Sequence, residues 1–95
     1  MIIGRVAGTV VSTRRSDSLV GARYLLVEPC ALDGSPLGDV LVVVDFLGAG
    51  AGEAVLVSQG SSARQTSGTD KKPVDAVVIG IVDLVEERGA VVYRK

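Results

Sequence analysis

One cysteine, Cys30, and no histidine limit the chemistry open to this chain of 95 residues. A zinc site draws its ligands mostly from cysteine and histidine, so neither a zinc set nor a Cys/His pair can be assembled. Metal-dependent hydrolysis and the common nucleophile–base designs are not expected. A lone thiol makes no internal disulfide, which fits a reducing compartment. The remaining acid–base groups are carboxylates, lysines and the tyrosines Tyr24 and Tyr93, and no recognisable pairing joins them. The sequence therefore reads as non-enzymatic, with no cofactor and no metal.

Glycine is the other residue whose spacing invites comparison. Asp45-Phe46-Leu47-Gly48-Ala49-Gly50-Ala51-Gly52-Glu53 carries three alternate glycines. A dinucleotide-binding turn follows a strand and opens a helix, whereas a strand-like segment, Ala54 to Ser58, comes after these glycines. The Gly-Lys-Ser/Thr of a P-loop is also absent. The run reads as a tight, close-packed loop. Downstream, Gly60-Ser61-Ser62-Ala63-Arg64-Gln65 reads as a single helical turn, because Ser61 or Ser62 can accept from the free amides that follow. A bare anion site beside Arg64 is the lesser alternative.

The elements around these loops have the spacing of strands. Ile2 to Thr13 places Ile2, Gly4, Val6, Gly8 and Val10 on one face and a mixed set on the other, as in a barrel wall. Gly4 and Gly8 fall on the inner face, where a small barrel bends or another strand approaches. A second strand runs Ala22 to Pro29, before the turn signals Asp33-Gly34, Pro36 and Gly38. A third spans Val40 to Asp45. After the polar loop Thr66 to Lys72, Ala76 to Val85 forms a strand, turning through Glu86-Glu87-Arg88-Gly89 into Ala90 to Arg94 as a hairpin.

Val40 to Val44 and Val77 to Val82 are apolar on both faces. In a layered α/β protein helices would cover the second face, but no segment here supplies them. Eighteen valines and 47% hydrophobic residues are more aliphatic surface than a domain of this size can easily hide. A neighbouring subunit is the economical cover. Whether Val42 or Val43 points toward that neighbour depends on a register the sequence leaves open. The net charge of −1 gives no basic excess for a phosphate backbone, and three aromatic residues make no base-stacking platform. Aliphatic runs stop far short of a membrane span. Neither nucleic acid nor membrane is expected as a partner.

The pattern predicts one all-β domain over residues 1–95: a small, closed, mostly antiparallel barrel of five to six strands with one short helical turn, in the oligonucleotide/oligosaccharide-binding outline. An oligonucleotide- or small-ligand-binding module is the alternative that such an outline carries.

Several segments in fixed order then bring a family into view: Gly4-Arg5-Val6-Ala7-Gly8-Thr9-Val10-Val11-Ser12-Thr13; Asp45 with Gly48-Ala49-Gly50 and Gly52-Glu53; Gly60-Ser61-Ser62-Ala63-Arg64; and Pro73-Val74-Asp75-Ala76 with Val78 to Asp83. Nearly the whole chain resembles the EutN/CcmL vertex proteins of bacterial microcompartment shells. The resemblance implies a barrel that associates as a homopentamer and caps shell vertices between hexameric shell proteins, in the bacterial cytoplasm. The segments Gly60 to Gln65 and Pro73 to Asp83 look closer to metabolosome members than to carboxysome ones. By the same resemblance, Asp45, Gly48, Ala49, Gly50, Gly60, Ser61, Ser62, Ala63, Arg64 and Asp75 are placed at subunit contacts or near the ring axis. Arg64 would bridge to a neighbour, with Asp45 and Asp75 as candidate acids; a local turn or cap is the equal alternative for each aspartate.

Overall fold

The computed structural model of the chain describes residues 1–11, 23–60 and 76–95. This part holds seven strands: β1 (Ile2–Val10), β2 (Arg23–Pro29), β3 (Leu41–Asp45), β4 (Ala54–Gln59), β5 (Ala76–Ile81), β6 (Leu84–Glu87) and β7 (Ala90–Arg94). The first five close into a barrel in the order β1-β2-β3-β5-β4, and β6 with β7 forms a separate hairpin. The expected small closed barrel is present, with no helix among the described residues. The helical turn expected over Gly60 to Gln65 lies, after Gly60, outside them.

Four seams of the barrel are antiparallel. The fifth, β3 to β5, is parallel, with Val44 opposite Val77. An odd number of strands cannot alternate direction all the way round, so one parallel seam is the least that five strands can have. The single strand expected over Ala76 to Val85 is divided. Val82 donates its amide to the Ala54 carbonyl at 2.8 Å, and Ala54 is where β4 begins. Beyond it β5 has no strand left to pair with, and the chain turns at Val82 and Asp83 into the hairpin. The two-residue turn of that hairpin, Arg88-Gly89, has φ of 53° and 80°, the doubly left-handed geometry that matches strand twist.

Valine fills the interior because the strands place every second side chain inward. Val6, Leu25, Val27, Val43, Val55, Val57, Ala76 and Val78 form the core with Ala49 from a loop. On β3 the register is settled. Val43 is 1% exposed and points inward, whereas Val42 is 58% exposed and points out. A second, smaller cluster joins Val44 and Val77, with Tyr24 and Ile79 packed against it. Strands β3 and β5 are thus apolar on both sides, as their sequence required.

Gly4 sits where β1 approaches β2. A Cβ there would overlap Val27 Cγ1 and stand 3.0 Å from the Glu28 carbonyl oxygen. Both neighbours are held by the sheet and cannot swing aside. Gly4→Ala is expected to cost about 1–3 kcal/mol by overpacking, read as a lower urea midpoint with an unchanged slope.

Candidate assembly site

The loop from β3 to β4 is organised by one carboxylate. Asp45 is 1% exposed, and a buried charge persists only where hydrogen bonds replace the water it has lost. Its Oδ1 accepts from the Leu47 amide at 2.8 Å, and its Oδ2 from the amides of Gly48 and Ala49 at 3.1 and 2.9 Å. Arg23 Nη1 lies 3.8 Å from Oδ2 and donates to the Ala49 carbonyl at 3.3 Å. Asp45 therefore caps a loop of its own subunit.

That capping steers the chain across the end of the barrel. Gly48 takes φ +85°, a conformation costly for other residues, and so delivers Ala49 into the core, where it is fully buried. Gly50 to Glu53 then forms a tight turn in which the Glu53 amide donates to the Gly50 carbonyl at 3.1 Å and Gly52 has φ +82°. Two bonds of 2.9 Å sew the turn to β1: Val6 N to Glu53 O, and Gly52 N to Val6 O. The tight loop read from the glycine run is present, but Gly48 and Gly52 serve its left-handed turns and not close packing, since a Cβ on either would meet nothing within 4 Å. Phe46 and Leu47 are left exposed at its outer edge.

Glu53 also ties the hairpin to the barrel. One of its oxygens accepts from the Gly50 amide, and the other meets Lys95 Nζ at 2.6 Å. The bond to Lys95, then that from Gly50, holds the Glu53 carboxyl below its ordinary range, while Glu53 holds the Lys95 ammonium above its own. Beside them the Ala54 amide donates to Tyr93 Oη at 3.4 Å, and the Arg5 guanidinium stands 5.6 Å from the Tyr93 ring centre. The base of the hairpin is thereby fixed at the β1–β4 seam. Its outer half is not, for every residue from Glu86 to Val92 is exposed.

The structure brings Asp45, Gly48, Ala49 and Gly50 together in one loop. Gly60 stands apart, at the end of β4, with φ +64°. Ser61, Ser62, Ala63, Arg64 and Asp75 lie outside the described residues, and with them the expected pairings of Arg64. Glu53, Lys95, Tyr93 and Arg5 were not legible as a group, because Glu53 and Lys95 meet only once the barrel has closed. Cys30 is buried, and burial pushes its thiol up, away from the reactive thiolate. No group of three or more His, Cys, Asp or Glu among the described residues could hold a metal ion.

These features belong to a scaffold, and comparison with known proteins agrees. A family model described as ethanolamine utilisation protein EutN/carboxysome matches residues 1–83. The chain belongs to the EutN/CcmL family. It is 50% identical over 95 residues to the carboxysome shell vertex protein CcmL of Gloeobacter violaceus, covering 100% of this chain and 95% of that protein. It is 52% identical over 86 residues to the microcompartment shell vertex protein GrpN of Rhodospirillum rubrum, covering 90% of this chain and 97% of that one. The solved GrpN structure, a pentameric microcompartment shell protein, superposes with TM-score 0.81 at 49% identity, over 92% of this chain and 99% of that chain. The family is structural, not catalytic. Both carboxysome and ethanolamine-utilisation relatives match this chain over its full length, so similarity does not separate the two compartment types.

Two outcomes test this geometry. Asp45→Ala strands three loop amides and should cost about 3 kcal/mol in chemical denaturation, far more than a substitution at exposed Asp39. The second concerns pH. With the Glu53 carboxyl lowered in the folded state, its contribution is complete above the ordinary value of 4.5 and is lost as pH falls through the lower folded value. Amide exchange at Val85 and Tyr93 should accelerate, relative to barrel amides, only on that acid side. Glu53→Gln should abolish the pH dependence.

Proposed function

We propose that this chain is a shell vertex protein: five copies close into a ring that caps the vertices of a bacterial microcompartment, in the cytoplasm, between hexameric tiles. The observation that carries the reading is the close match to GrpN, whose solved structure is that of a pentameric shell protein. The fold supports it independently. Val42, on a strand whose other side fills the barrel, turns a β-branched side chain to solvent, and such a face is stabilised when another subunit covers it. A closed ring uses a head-to-tail contact, in which two different patches of one chain meet.

The mechanism is geometric. Hexagonal tiles alone extend as a flat or singly curved layer, and a pentagonal tile removes a wedge so that the layer can close. Catalysis plays no part. A metabolosome shell is preferred to a carboxysome on the local resemblance of Gly60 to Gln65 and Pro73 to Asp83 alone, since full-length relatives of both kinds match. An oligonucleotide- or ligand-binding role gains no support from a net charge of −1 or from relatives that are shell vertex proteins.

The direct test is co-expression with hexameric shell proteins. With this chain present, electron microscopy should show closed polyhedra; without it, open sheets or tubes. Closed shells of the same shape in both samples would sink the vertex role. At the level of the ring, Val42→Glu should yield a folded monomer with an unchanged circular dichroism spectrum. Val43→Glu, one residue along, buries an unpaired charge in the core and should prevent folding.

A further inference from the structure

The two ends of the barrel differ. At the end where β3 finishes, Ala49 stoppers the interior. At the other end, where β1 and β3 begin and β2 and β4 finish, the described residues enclose a pocket of about 640 Å³. Ile2 and Leu41, which pack against the core from this side, line it from the barrel. Leu32 and Leu37, 38 and 68% exposed, line it from the loop that follows β2. The mouth of a β-barrel is a favoured place for a small-molecule site, and several hundred Å³ is the usual size of one.

The loop wall of this pocket is built in advance. Cys30 donates its amide to the Ile3 carbonyl at 3.1 Å, Ala31 to Ser35 at 2.8 Å, and Leu37 to Pro29 at 2.9 Å. At the tip, the Asp33 carboxylate accepts from the amide and the hydroxyl of Ser35 at 2.9 and 2.6 Å, fixing the turn in which Gly34 takes φ +89°. A wall already held this way has little freedom left to lose when a ligand settles against it. Its amides are spent on the fold, and the side chains it turns to the pocket are aliphatic.

Two lining residues break the aliphatic pattern, Asp39 and Gln59. Asp39 is the one charged residue among the described residues that line the pocket. Unlike Asp33, it makes no hydrogen bond or ion pair with the described residues. An unpaired carboxylate beside an aliphatic pocket attracts a cation and repels an anion, and the Gln59 amide can serve a polar head group as donor or acceptor. We propose that the mouth of the barrel binds small amphipathic amines, with the aliphatic body against Ile2, Leu37 and Leu41 and the ammonium on Asp39. The site goes beyond the structural role stated above and does not depend on it, since a single barrel carries every residue named.

Isothermal titration of the purified chain with n-octylammonium, 1-octanol and octanoate, each below the concentration at which it self-associates, tests the site. Octylammonium should bind saturably and about two- to fivefold more tightly than octanol, the range set by an exposed ion pair, with octanoate the weakest of the three. Asp39→Asn should bring octylammonium down to the affinity of octanol, and Asp39→Lys should turn the preference toward octanoate. Leu37→Ser, also at an exposed position, should weaken all three. No saturable binding by any probe, or affinities indifferent to the head group, to Asp39 or to Leu37, would overturn the site. Native mass spectrometry of the unliganded protein reads the ring separately, so failure of the site and failure of the ring are distinguishable.

Discussion

A barrel of five strands has an interior about one side chain deep, and that limit governs where the aliphatic residues of this chain go. Leu25, Val27, Val43, Val55 and Val57 fill it completely. The chain nonetheless continues to supply aliphatic side chains on the opposite faces of the same strands: Val42 and Val44 on β3, Val77 and Ile79 on β5. Val44 and Val77 pack with Tyr24 and Ile79 as a small outer cluster, and Val42 is left exposed. A protein whose task is to tile gains from a monomer that is closed inside and unsatisfied outside, because the association energy is then distributed around a rigid body.

The same economy explains how the barrel is stoppered. A barrel of this bore leaves room at its end for only a very small side chain, and Ala49 is the one delivered there. Delivery depends on Asp45, whose carboxylate gathers three successive amides, and on Gly48, whose left-handed backbone lets the chain double back. A loop of this kind, rich in glycine beside an acid, resembles a ligand cradle in sequence. In the fold its donors are already spent on the protein's own carboxylate.

Much of this was legible in the residues, and what was not has a physical reason. The alternation of Ile2, Gly4 and Val6 marked the inner face of the first half of β1, and the clustered glycines between Asp45 and Glu53 marked a tight loop. A bulge after Val6, however, sets Gly8 opposite Leu26 and Val10 opposite Tyr24, on the outer side and not the inner one expected. Val40 to Val44 marked a strand apolar on both sides, but a run of like residues holds no information about register, so Val42 and Val43 could be told apart only in the folded barrel. The break between Ile81 and Leu84 was hidden because Val82 continues the apolar pattern; it is imposed by the end of β4, a strand more than twenty residues earlier. The bond of Glu53 to Lys95 was likewise hidden, since no local spacing connects them. Asp45 read equally well as a local cap or as a partner for a neighbouring subunit, and its three amides assign it to the cap.

The central claim is that the outward aliphatic face is an interface between five identical subunits. Native mass spectrometry of the purified chain addresses that claim most directly. A particle of five times 9.8 kDa is the predicted result. A monomer or dimer at micromolar concentration would contradict it, because the exposed valines of β3 and of the hairpin would then stand in water with no ring to cover them.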